Sequence, residues 1–170
     1  MMGYRVKRNK NQEQFWDAFL ELREDPLVQQ LKQYPNHKIS NLYDHSSRVA
    51  VCAYDLSRRL HICINGKSLA KGAMLHDYYL YHARSNKEIS TKDHWLGHPR
   101  TAFANAEKVF YLTELEKNII LSHMWPLNFC HFPKSREAVL VSAADKICAC
   151  GELILKRNYV KKIKRKEKSR

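Results

Sequence analysis

The stretch Ser40-Asn41-Leu42-Tyr43-Asp44-His45-Ser46-Ser47-Arg48-Val49-Ala50-Val51-Cys52-Ala53-Tyr54-Asp55-Leu56 decides the fold class. His45, Val49, Cys52 and Leu56 recur at i, i+4, i+7 and i+11, the spacing that lines one face of an α-helix. Ser40 stands in front of it as an N-cap residue. The polar exception on that apolar stripe is His45. An imidazole turned toward a core is costly unless it finds a partner there, so the pattern predicts a helix that packs inward and carries a histidine to a shared centre.

Working outward, the same period continues to both ends of the chain. Phe15, Phe19 and Leu22 form a first amphipathic stretch ended by Asp25-Pro26, and Leu27, Leu31 and Tyr34 a short second one closed at Pro35. Asn65-Gly66 is expected to end the long helix. A fourth helix is expected from Lys67 through Leu69, Ala73 and His76 to about His82, followed by a polar loop from Ser85 to Gly97. His98-Pro99 should open a fifth, with Pro at its first position and His98, Ala102, Asn105 and Val109 on one face. Thr113-x-x-Glu116 is a capping box, so a sixth helix begins at Glu114 and carries Ile119, Ile120 and His123 to Trp125-Pro126. The seventh, from about Ser135, aligns Ala138, Val141, Asp145, Cys148 and Glu152. Strand signals are scarce, so the expected fold is an all-α bundle of about seven helices.

Length and composition agree. The chain has 170 residues, 44% hydrophobic and 28% charged, which excludes collagen-like and largely disordered classes and fits one domain, expected over residues 1–155. No apolar run is long enough to span a bilayer, and the basic start lacks the apolar stretch of a signal peptide, so a cytoplasmic protein with no membrane partner is expected. Five cysteines without a CxxC spacing are expected as free thiols packed as small hydrophobes. The formal net charge is +13, of which residues 156–170 carry most as a basic tail, so an anionic partner is expected. Nucleic acid is the partner class that the tail adds.

The chemistry-bearing residues are His45, the pair His76-Asp77, His98, His123 and Asp145, one position per helix, about twenty to thirty residues apart. In an antiparallel bundle one helix and its return take about that length, so each helix can aim one ligand at a common centre. Four imidazoles and two carboxylates suit Fe, Mn, Zn, Ni or Co better than Ca. His37, His61, His82, His94 and His131 have no place in this pattern and are expected in exposed or capping roles. Tyr78, Tyr79 and Tyr81 are expected as packing aromatics.

The order His…His-Asp…His…His…Asp resembles the HD-domain superfamily of metal-dependent phosphohydrolases, in its six-ligand, binuclear form. The resemblance runs from about Asn41 to Glu152, within a core motif region of residues 39–152. It is carried by His76-Asp77-Tyr78-Tyr79-Leu80-Tyr81, Gly97-His98-Pro99-Arg100, His123-Met124-Trp125-Pro126-Leu127 and Ala144-Asp145-Lys146. It implies an HD-like helical bundle around two divalent ions. His45, His76, Asp77 and Asp145 would hold the first, His98 and His123 would complete the second, and Asp77 would bridge them. The implied activity is hydrolysis of a nucleotide or related phosphate ester, monoester or diester, through a metal-bound hydroxide, with Asp77 and His76 as the residues closest to the chemistry. Two ions less two carboxylates and one hydroxide leave a net positive centre, which suits a phosphoryl group. Where many HD phosphodiesterases have a Lys three residues after the Asp, this chain has Leu80.

Four cations lie near the motifs and are candidates for holding substrate phosphate: Arg48 one turn after His45, Lys146 next to Asp145, and Arg84 and Arg100 beside the flanking loops. Two other readings use the same residues. One is a regulatory or nucleic-acid-binding HD module; the other is a di-iron oxygenase of HD type.

Overall fold

A helix that is buried on almost every side organises the molecule. The computed structural model describes residues 10–36, 40–81 and 91–151. Helices α1 (Lys10–Glu24) and α2 (Pro26–Gln29) lead through a 3-10 turn (Gln30–Gln33) to two short antiparallel strands, β1 (Pro35–Asn36) and β2 (Ser40–Asn41). Then come α3 (Leu42–Arg59), α4 (Gly66–Leu75), α5 (Thr91–Val109) and α6 (Glu114–Ser122), and a last helix, α7, over residues 136–151. The fold is an all-α bundle with seven α-helices among the described residues. His37, His82, Arg84, Glu152, the side chain of His94 and the basic tail of residues 156–170 lie outside the described residues.

The buried helix is α4, which packs against α1, α3 and α6. Its sequence Gly-Lys-Ser-Leu-Ala-Lys-Gly-Ala-Met-Leu is mostly small or apolar, which allows close approach from several directions. At Gly66 a Cβ would stand 2.1 Å from the Asn11 carbonyl oxygen, so α1 lies directly on the backbone of α4. At Gly72 a Cβ would meet three side-chain atoms of Ile119 within 2.8 Å, so α6 lies equally close on another side. Phe15, Leu31, Leu42, Leu69, Met74, Leu75, Ile119, Ile120 and Val141 fill the core around it.

The α4 and α6 helices run parallel. Ser68 Oγ donates to Glu116 Oε1 at 3.0 Å near their starts, Gly72 meets Ile119 midway, and the His76 and His123 rings lie 4.9 Å apart at their ends. Glu116 is buried and also accepts from the Thr113 N–H, so the capping box that starts α6 doubles as its link to α4. Both C-termini thus open on the same place.

Several boundaries depart from the sequence pattern, each for a local reason. Asn41, not Ser40, caps α3, because its side chain accepts from the Asp44 N–H at 2.8 Å while Ser40 pairs in β2. The helix ends at Arg59, with His61 at a φ of 54°, and Asn65 is instead the N-cap of α4. The α4 helix stops at Leu75 rather than near His82: His76 folds back on the Ala73 carbonyl, and Leu80 sits at a φ of 53°, a conformation costly for a branched side chain. α5 begins at Thr91, so Pro99 lies inside it, not at its first position; a proline there removes one backbone hydrogen bond, and the buried face of His98, Ala102 and Ala106 continues past it. Val109, expected on that face, is exposed. Of the cysteines, Cys63, Cys130 and Cys150 are exposed rather than packed in the core, while Cys52 and Cys148 are half-buried and hydrogen-bonded to each other. Tyr78 and Tyr79 are buried as packing aromatics.

Candidate metal centre

Helix ends and helix faces together deliver the six residues. His45 comes from the inward face of α3, His76 and Asp77 from the end of α4, His98 from α5, His123 from the end of α6 and Asp145 from α7. All four imidazoles and Asp77 are buried, and the Asp145 side chain is 14% exposed. All six sequence-derived ligand candidates converge.

Asp77 stands between two sets of nitrogens. Its Oδ2 lies 3.5 Å from His76 Nε2 and 3.8 Å from His45 Nε2, and Asp145 Oδ1 approaches the same pair at 3.8 and 3.1 Å. Its Oδ1 lies 3.4 Å from His98 Nε2 and 3.5 Å from His123 Nε2. His45, His76 and Asp145 form one group, and His76, Asp77 and His123 another, in which one ligand atom per residue lies within 4.8 Å of the others. Either group could hold a metal ion.

The tautomers favour a cation. His76 Nδ1 lies 2.7 Å from the Ala73 carbonyl oxygen and His123 Nδ1 lies 2.7 Å from that of Ile120. A carbonyl only accepts, so Nδ1 carries a proton in both rings, which leaves each Nε2 as the nitrogen that could face a metal. His76 Nε2 and Asp77 Oδ1 are buried with no hydrogen-bond partner among the described residues. Such atoms cost free energy when left unpaired, and a bound ion would satisfy both. The negative ends of the α4 and α6 dipoles meet here as well, which again favours positive charge. The residues therefore fit a metal.

Electrostatics within the cluster follow from burial and crowding. Burial opposes ionisation of Asp77, yet His76, His98 and His123 hold its carboxyl well below the usual range. Asp145 behaves alike: burial is outweighed by the hydrogen bond from His45 and by His76 and His123, bringing it to about 2. For His123 burial comes first, then the neighbouring His98 and His76, and the pKa falls to about 3. The site in this state holds anionic carboxylates and a neutral His123. Tyr81 is pushed up to about 12, by burial and then by Asp77, so near the site it remains a phenol.

The cations named from sequence sit differently from one another. Lys146 Nζ donates to the His123 carbonyl oxygen at 2.7 Å, the Ser142 carbonyl oxygen at 3.1 Å and Ser142 Oγ at 3.3 Å, and lies 3.8 Å from Asp145 Oδ2, so it ties the turn that carries His123 to its own helix beside Asp145. Arg48 is exposed and lines a groove of about 760 Å³ with Trp16, Phe19 and Cys52, a groove that none of the six ligand candidates lines. Arg100 is exposed on α5, and Arg84 lies outside the described residues. Ser142 was not singled out by the sequence pattern; its Oγ donates to the Trp125 carbonyl oxygen at 2.6 Å and helps fix the turn after His123. A serine inside a helical stretch gives no signal of such a role.

The chain matches no protein-family model, no curated protein and no solved structure.

Proposed function

We propose that the chain is a metal-dependent phosphohydrolase of HD type, acting on a nucleotide or related phosphate ester. The observation that carries this reading is the division of labour around Asp77: one carboxylate oxygen faces His45 and His76, the other faces His98 and His123. A carboxylate placed between two nitrogen sets is what a shared ligand requires, and the six residue types match those the HD resemblance implies. When bound, divalent ions would lower the pKa of coordinated water and neutralise charge developing on a phosphoryl group.

The protein's own residues have defined tasks in this reading. The Ala73 and Ile120 carbonyls lock His76 and His123 in the metal-binding tautomer. Lys146 holds the main chain of His123 in place. Tyr79, edge-on to His98 with ring centroids 5.7 Å apart, fixes that imidazole and walls off one side. The Asp77 and Asp145 side chains, 12% and 14% exposed, mark the side from which a substrate reaches the centre.

Two divalent ions of the Fe, Mn, Ni, Co or Zn group are the proposed cofactors. The test is metal analysis of protein purified without oxygen, followed by a panel of phosphomonoesters and phosphodiesters with each metal restored in turn. Metal-dependent release of phosphate or of a nucleotide supports the reading. Iron content with turnover that consumes oxygen, and no phosphate release, would replace it by the oxygenase.

A further inference from the structure

The turn that follows His123 ends in a loop whose apolar side chains face solvent. Leu127, Phe129 and Phe132 are 56, 82 and 61% exposed. Their exposure is imposed by the framework. Asn128 Nδ2 donates to the Leu96 carbonyl oxygen at 3.0 Å and its Oδ1 accepts from the Cys130 N–H at 3.0 Å. Asn118 donates to the Phe132 carbonyl oxygen at 3.1 Å and accepts from the Lys134 N–H at 2.8 Å. Phe132 stands edge-on to Trp125 with centroids 5.5 Å apart, which leaves its other faces open. Clustered exposed apolar side chains mark interaction surfaces.

Beside Phe132 is a groove of about 480 Å³, lined among others by Leu121, His131, Phe132, Lys134 and Ser135. His131 Nδ1 is buried and has no hydrogen-bond partner among the described residues. Glu114 also lines the groove, but its carboxylate pairs with Lys117 at 3.1 Å. Residues 118–136 contain no acidic residue. Arg100, Lys134 and Arg136 are exposed and in no ion pair among the described residues, and Arg100 follows by one helical turn Leu96, whose carbonyl accepts from Asn128 of this loop.

We propose that segment 127–134 and the groove behind it bind single-stranded nucleic acid, with bases stacking on Phe129 and Phe132, one base edge meeting His131, and the phosphates meeting Lys134, Arg136 and Arg100. The match is chemical. Exposed rings interleaved with unpaired cations form the usual platform for a strand whose bases are unstacked. The absence of any acid from residues 118–136, which carry Lys134 and Arg136, leaves this segment locally basic and attractive to a polyanion. Burial and then Arg100 lower the His131 pKa, so a neutral ring faces the groove and can exchange hydrogen bonds with a base. A bilayer explains the surface less well, because hydrocarbon offers no partner to Arg100, Lys134 and Arg136 beside the rings, whereas a strand brings flat bases and phosphates together. Binding here is separate from hydrolysis, and it is measured with metal chelated, so it succeeds or fails independently of the phosphohydrolase reading.

The experiment is fluorescence anisotropy on the full chain, using a labelled single-stranded RNA of mixed sequence and the same strand annealed to its complement. The single strand should bind more tightly than the duplex. Phe129→Ala and Phe132→Ala should each weaken it by about tenfold, the scale of one lost base stack, and Lys134→Ala should lower the salt slope by about 0.7. Phe132 packs on Trp125, so circular dichroism checks that variant; Phe129 is exposed, and its variant decides the matter if the other unfolds. Unchanged affinity in Phe129→Ala, with all binding lost on truncation after Leu155, assigns the contact to the basic tail and overturns the proposal. So does a Phe129→Ala variant that loses binding to anionic phosphatidylglycerol vesicles but keeps its affinity for the strand.

Discussion

His98 and His123 point their Nε2 atoms at each other across 2.8 Å, and both lie within 3.5 Å of the same oxygen of Asp77. Because Nδ1 of His123 is committed to the Ile120 carbonyl, His123 accepts and His98 donates in this contact. An ion placed there would replace one shared proton and take both lone pairs. His98→Ala and His123→Ala should therefore each lose about one equivalent of metal while His45→Ala and Asp145→Ala disturb the other group. Stoichiometric metal analysis of the four variants checks this. If the wild type binds one ion and the His98 and His123 variants bind as much, the pair is a structural hydrogen bond.

Asp77→Asn keeps the size of the side chain but puts an amide N–H₂ where one carboxylate oxygen faced imidazole nitrogens. The amide N–H₂ has no lone pair for a cation and donates to the imidazole nitrogens instead, so it competes with the ion for them. Metal content should fall, and metal-dependent hydrolysis should drop by about a hundredfold to a thousandfold, the scale of losing one preorganised charge-stabilising group. The α-helical circular dichroism should persist. Turnover equal to wild type on a substrate found in the ester panel would remove Asp77 from the chemistry.

That the six residues come together was legible because polar side chains recur along inward-facing patterns at separations that match helix lengths. Their placement was less so. His76 and His123 sit at helix ends, not mid-helix, since each ring closes on the carbonyl three residues back, and hydrophobic periodicity carries no trace of such a side-chain bond. The parallel pairing of α4 with α6 rests on Gly72 accepting Ile119, a long-range contact that local pattern does not encode. Lys146 illustrates the same limit. Its position next to Asp145 made it a candidate for holding phosphate, and local pattern carries no sign that its ammonium reaches the carbonyls of His123 and Ser142.

That occupancy separates two roles for Lys146. Lys146→Met removes the anchor of the His123 main chain and should lower metal affinity by about tenfold, as loss of an outer partner of a ligand commonly does, with Lys146→Arg recovering part of it. A residue that only held substrate phosphate would raise KM and leave metal affinity alone. Isothermal titration with the chosen metal, run beside steady-state kinetics, distinguishes the two.

Gly72→Ala tests the packing that brings the two helix ends together. The new Cβ would lie 2.7 Å from Cδ1 and Cγ2 of Ile119 and 2.8 Å from its Cβ. Overpacking of this kind costs about 1–3 kcal/mol, and the strain pushes His76 away from His123. Both the denaturation midpoint and the metal affinity should fall. Adding Ile119→Val relieves only part of the loss, because Cγ2 and Cβ remain. A Gly72→Ala variant as stable as wild type would mean that α4 and α6 can separate freely.

Acid should destabilise the metal-free protein in two stages. His123 is held at about 3 in the folded state by burial and its neighbouring imidazoles, against roughly 6.5 when unfolded. Between those values the unfolded chain binds the proton and the folded chain does not, so stability is fully present above about 6.5 and declines as pH falls toward 3, by up to about 1.4 kcal/mol per pH unit. Asp145, at about 2 folded against roughly 3.9 unfolded, adds a second loss of the same sign below pH 4, and the depressed Asp77 adds to it. Urea denaturation of chelator-treated protein between neutral pH and about pH 4 reads the first stage. His123→Leu, which has no proton to exclude, should give a visibly flatter dependence over that interval, and restoring metal should steepen the wild-type curve, because protons then compete with the ion for His123. Equal slopes in wild type and His123→Leu would show that His123 titrates in the folded protein as it does in water, and the buried, neutral imidazole would have to be abandoned.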